Sequence, residues 1–155
     1  MNSAEAKQLG GYVQLIALHF MSSAYGRQSL PDSLGELTYG HPGIQILSTL
    51  KKGWDGYDSE PPSETVIEKA NDVWNLSVGA FGRALGIPEI TPGSSGIVAF
   101  TWKANKPKRQ LELWIHDSSS FSADWCLLNA DGSTTDGELS VLDELIPVLH
   151  QFLAS

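Results

Sequence analysis

Apolar and polar residues alternate with two different periods along this chain, and each period predicts a different element. Leu9, Val13, Ile16 and Phe20 are spaced four, three and four apart, which is one face of a helix, and Ser3 is placed to cap it. A helix over about residues 3–25 is therefore expected, weakened by Gly10 and Gly11. Residues 26–43 are rich in glycine, proline and other turn formers and read as an extended loop, with a short helical turn near residues 33–37. A short apolar segment follows from Ile44 to Leu50. The clearest helical period spans about residues 64–85, where Ile67, Ala70, Trp74, Phe81 and Leu85 share one face and Glu64, Glu68, Lys69, Asp72 and Arg83 supply the other. Ser63 can cap its start, and Gly86, with Pro88 just beyond, can end it.

Past residue 88 the period shortens to two. Runs at about 96–103, 109–116 and 121–129, with a short one at 89–91, are separated by segments of hairpin length at 104–108 and 117–120. An antiparallel meander over about residues 89–130, ended by Asp131-Gly132, is the natural reading. Alternation puts Phe100 and Trp102 on one face with Leu111, Leu113 and Ile115, and Trp114 with His116 on the opposite face. That second face is partly apolar, so it is either covered by another element or used as a contact surface. Over about residues 140–153 the helical period returns through Val141, Leu142, Leu145, Ile146, Leu149 and Leu153, with Ser140 and Asp143 at capping distance and Pro147 expected to kink or split the helix. Two or three helices on one face of a three- or four-stranded antiparallel meander bury all these stripes, which defines a single α+β domain.

Residues 53–63 combine a bulky anchor, turn residues, a diproline and a helix start. Gly53 and Gly56 permit backbone conformations closed to other residues, Asp55 can accept from its own downstream amides, and Trp54 can anchor the loop. The order of Trp54-Asp55-Gly56, Pro61-Pro62-Ser63, the apolar strand from Gly96 to Trp102 and the hairpin strand from Leu111 to Ile115 resembles a loosely defined set of small uncharacterised proteins of bacteria and mobile elements. The resemblance covers about residues 44–130 and implies a shared fold unit; it supplies no catalytic residues. Where such proteins carry an Asp-Gly hairpin, this chain has Asp117-Ser118-Ser119-Ser120.

Charge narrows the choice of partner. Ten Lys and Arg against eighteen Asp and Glu leave a formal net charge of −8 over 155 residues, which opposes nucleic acid and anionic membranes and favours a protein partner carrying positive charge. Lys103, Lys106, Lys108 and Arg109 are clustered, but they bracket Pro107 between strands and read as a solvated hairpin; nucleic-acid stacking on Trp102 beside them is the weaker reading. No segment reaches the length of a membrane span, and Tyr12 to Phe20 is too interrupted, with too little basic charge before it, to be an export signal. The single cysteine, Cys126, lies in an apolar strand, as expected of a reduced thiol in the cytoplasm.

Candidate chemistry is sparse. His19, His41, His116 and His150 lack partners at ligand spacing, and Thr134 stands where a calcium loop beginning at Asn129 requires glycine. Gly93-Ser94-Ser95-Gly96 is not a nucleophile elbow, and no phosphate-cradling glycine loop is present. No metal or cofactor is expected. The expectation that follows is a non-catalytic protein-interaction module, of the immunity, antitoxin-like or inhibitor kind, with Trp54, Asp55, Tyr57, Trp114 and His116 as contact residues. The alternative is a small hydrolase or nucleic-acid-processing enzyme built on the carboxylates of Asp55, Asp58, Glu60 and Glu64.

Overall fold

The computed structural model describes residues 40–154. The predicted N-terminal helix and the turn near residues 33–37 lie outside the described residues. Within them, α1 (Pro42–Leu47) and α2 (Glu64–Phe81) precede five strands, β1 (Glu89–Pro92), β2 (Val98–Asn105), β3 (Lys108–Ile115), β4 (Ala123–Leu128) and β5 (Thr134–Leu139), and α3 (Leu145–Leu153) closes the chain. The strands form one antiparallel sheet in the order β1-β2-β3-β4-β5. The described residues form an α+β domain with three helices on a five-stranded meander, one strand more than the upper sequence expectation.

The extra strand is β5. Asp131-Gly132 does not end the sheet but turns it: Asn129 N donates to Ser133 O at 2.8 Å, Gly132 adopts φ 85°, and Asp131 Oδ1 accepts from Ser133 N and Oγ. β5 reads Thr-Thr-Asp-Gly-Glu-Leu and buries only Leu139, so it has little apolar period to recognise. Its backbone is held by β4, and Gly137 lies opposite Trp125. A Cβ at Gly137 would come within 2.9 Å of the Trp125 indole nitrogen, so the missing side chain is the space the indole fills.

Alternation in β2 and β3 sorts the faces as the pattern predicts. Val98, Phe100 and Trp102 pair with Ile115, Leu113 and Leu111, and all six are buried in one core with Val66, Ala70, Val73, Trp74 and Val78 of α2 and Leu145, Leu149 and Phe152 of α3. Phe100 and Trp102 stack with ring centroids 5.5 Å apart. Trp114 pairs with Ala99 and Asp124 on the other face.

The helix predicted over residues 64–85 forms, with Ser63 Oγ accepting from Val66 N at 3.3 Å. Gly82, at φ 54°, breaks it into α2 and a 3-10 turn (Gly82–Leu85) ended by Gly86. Its inward face is rotated from the predicted one: Val66, Val73 and Val78 are buried, while Ile67 and Phe81 pack only partly. Lys69, expected on the solvated side, is buried, because its ammonium donates to His116 O (3.2 Å), Ser118 O (2.5 Å) and Ser118 Oγ (3.2 Å) in the β3–β4 loop. Three oxygen acceptors offset the loss of water around that charge.

Two further departures have local causes. Pro42 and Gly43, assigned to the loop from sequence, open α1; proline in a first turn sacrifices no hydrogen bond, and His41 Nδ1 accepts from Gly43 N at 3.0 Å as the cap. In the C-terminal segment a 3-10 turn (Leu142–Glu144) passes into α3 at Leu145. Pro147 thus sits in the first turn of α3, where its missing N–H is not needed. Glu144 Oε2 accepts from Ser140 N and Val141 N, so Glu144, rather than Asp143, ties down the start.

Candidate interaction surface

Two places hold the residues singled out by sequence, and no hydrogen bond or ion pair among the described residues joins them. The first is the loop of Trp54, Asp55 and Tyr57. Gly53 N donates to Ser59 O at 2.8 Å and Gly56 N to Gly53 O at 3.0 Å, closing a tight turn in which both glycines have positive φ. Asp55 occupies both carboxylate oxygens inside the loop, Oδ1 accepting from Tyr57 N (3.0 Å) and Oδ2 from Ser59 Oγ (2.6 Å). The Ser59 hydrogen bond foremost holds the Asp55 carboxyl below the ordinary carboxylate range. Trp54 buries its indole N–H without an acceptor among the described residues, as an apolar anchor does, and Tyr57 is exposed.

The other acids of that loop diverge. Asp58 and Glu60 reach out to Lys52 at 3.3 and 3.0 Å in largely exposed pairs, while Glu64 lies exposed in the first turn of α2, favoured there by the helix dipole. Glu60 also ties the loop to the β1–β2 connection through a parallel bridge with Ser95. Among the described residues no group of three or more His, Cys, Asp or Glu is arranged to hold a metal ion.

The second place is the outer face of the sheet. Strand pairing aligns Thr91, Ala99, Trp114, Asp124 and Glu138 in one row, and Glu89, Thr101, Glu112, Cys126 and Asp136 in the next. None of these residues is buried, whereas the described helices pack their apolar stripes on the opposite face. His116, just past β3, has its Nε2 2.8 Å from Oδ2 of Asp124 in the first row. Lys103 is paired with Glu89 at 2.8 Å, and Gln110 Nε2 donates to Glu112 Oε1 at 2.5 Å. Glu112, Asp136 and Glu138 have no cationic partner among the described residues.

Glu112, Asp124 and Glu138 were not among the residues chosen from sequence. Their signal was nevertheless present, since Glu112 shares the parity of Trp114 and the other two follow from the hairpin register. The basic cluster, by contrast, is dispersed by the fold. Arg109 is buried on the helix side, where it donates to Gln151 O at 3.3 Å and to Ala154 O, and its guanidinium carbon lies 6.0 Å from the Phe152 ring centroid. It caps the carbonyl end of α3 and leaves only the lysines at the hairpin.

None of the described helices is long and apolar enough to cross a membrane. Compared with family models, curated proteins and solved structures, the chain matches none.

Proposed function

We propose that this protein is a non-catalytic protein-interaction module that works through the outer face of its sheet around Trp114, in the manner of an immunity, antitoxin-like or inhibitor protein of a bacterium or mobile element. The observation that carries the reading is an indole near the end of β3, on a sheet face that no described helix covers. Tryptophan combines a large apolar area with a polar edge and is enriched where proteins meet. The surplus of acid argues for a protein partner over nucleic acid, and a cytoplasmic setting suits the lone thiol of Cys126. Asp55, Asp58, Glu60 and Glu64 serve the turn and the start of α2 in this reading, which takes no cofactor.

Affinity capture with the tagged full chain from extracts of the native host tests it. Wild type is expected to enrich a defined protein that Trp114→Ala loses at unchanged melting temperature, while Asp55→Asn retains it because an amide oxygen still accepts from Tyr57 N and Ser59 Oγ. Equal capture by Trp114→Ala overturns the assignment of the surface. Turnover of a phosphoester or ester that disappears in a folded Asp55→Asn variant overturns the non-catalytic reading.

A further inference from the structure

Resting on that reading of the surface, the geometry points to an arginine-bearing segment of a partner protein as its occupant, with a guanidinium laid on the Trp114 indole and paired with Glu112, in the negative field that Glu138 extends across the sheet. The composition of the two central rows carries the inference. Their carboxylates are Glu89, Glu112, Asp124, Asp136 and Glu138; among the described residues, only Glu89 of these has a lysine partner and only Asp124 a histidine. The negative charge that is left runs from Glu112, beside the indole, to Asp136 and Glu138 on β5. Glu112 is two residues away along β3, on the same side of the sheet. Asp124 is directly across the strand, and Glu138 is one strand further along the same row. On the β2 side the cross-strand neighbour is Ala99, whose methyl group is too small to cover an indole.

Asp124 and Glu112 stand about 5 to 7 Å from Trp114, and Glu138, two strands away, about 10 Å, so one planar guanidinium lying on the ring can turn its N–H fork to Glu112 while Glu138 adds negative charge beyond Asp124. Arginine meets both demands at once: it stacks on aromatic faces and pairs with carboxylates through two parallel hydrogen bonds. Lysine offers a point charge that stays hydrated and cannot stack. A phosphate or an anionic lipid surface meets repulsion from every uncompensated group on the face. The partner's remaining contacts fall on Ala99, Cys126 and Leu128, so a strand or helix alternating arginine with small aliphatic residues fits the whole face.

The test is a titration of the isotopically labelled full chain with a short synthetic peptide alternating arginine and valine, followed through the Trp114 indole resonance and the outer-face amides. The lysine-for-arginine and glutamate-for-arginine peptides, and a single-stranded RNA, are the comparison probes. The arginine peptide is expected to shift resonances of β3, β4 and β5 and to bind about tenfold more tightly than the lysine peptide. It should weaken as salt rises. Trp114→Ala, and separately the near-isosteric Glu112→Gln/Glu138→Gln double variant, should each weaken it about tenfold.

No saturable shift with the arginine peptide, shifts confined to the Trp54 loop or the β5 edge, or equal binding of the glutamate peptide or the RNA overturns the inference. If capture from extracts still depends on Trp114 after such a result, only the partner chemistry falls. A Trp114 indole already shielded from acrylamide in the free chain means that residues 1–39 or a second copy occupy the face, and then both readings fall.

Discussion

The two faces of the sheet are made from the same strands and each carries tryptophan, yet their roles diverge. Along one row of the helix side, Phe100, Leu113, Trp125 and Gly137 lie side by side; along the adjoining row of the outer side stand Ala99, Trp114, Asp124 and Glu138. Trp102, on the helix side, is 1% exposed, while Trp114 keeps part of its surface in solvent. Residue type does not distinguish these two indoles. The helix layer does, because it removes water from one face and leaves charge tolerable only on the other. A large apolar residue is structural where the second layer closes over it and available for recognition where none does.

The sharpest way to test that contrast is to truncate an indole on the covered face. Trp102→Ala is expected to cost about 3 to 5 kcal/mol through the cavity it leaves, read from the urea midpoint at constant m. A loss near zero would mean the helix layer does not seal that face.

Acid probes the covered side by a different route. His41 is buried at the start of α1, packed edge-on against Trp74 with centroids 5.0 Å apart. Burial, only partly offset by a backbone hydrogen bond with Pro88, pushes its pKa from 6.5 down to about 4. Above pH 6.5 neither folded nor unfolded chain protonates it. As pH falls from 6.5 towards 4, the unfolded chain takes up a proton that the folded one refuses, so stability drops by about 3 kcal/mol across that window. In His41→Asn, which keeps a capping acceptor, this component of the pH dependence should vanish; a difference from wild type that stays constant between pH 7 and 4.5 would show that His41 titrates normally.

Gly137 tests whether the edge strand belongs to the covered face. Gly137→Val places branched methyls where the Trp125 indole lies and should destabilise by about 1 to 3 kcal/mol, with a change in tryptophan fluorescence. An unaltered spectrum and midpoint would place the indole elsewhere. The smallest effect belongs to the outer face: Trp114→Ala should change stability by less than about 1 kcal/mol. A cost equal to that of Trp102→Ala would dissolve the contrast, since it would show the outer indole to be equally enclosed.

Much of this molecule was legible from local chemistry. Ser63 caps α2 because a hydroxyl three residues ahead of Val66 N reaches it without help from the rest of the chain, and Gly86 ends the helical stretch because it tolerates φ 75°. Parity along β2 and β3 determined that Trp114 opposes Phe100 and Trp102, since a strand has only two faces. Long-range partners decided the remainder. Lys69 turned inward because the β3–β4 loop, some fifty residues later, offers it three oxygens; no helical periodicity could announce that. Arg109 left the basic cluster to satisfy the carbonyl end of α3. β5, with almost no apolar alternation, became a strand because β4 presented an unpaired edge and Trp125 needed a residue without a side chain beside it. Local sequence determines caps, turns and parity through groups already within reach, whereas the covering of a face and the pairing of an edge depend on segments that only folding brings together.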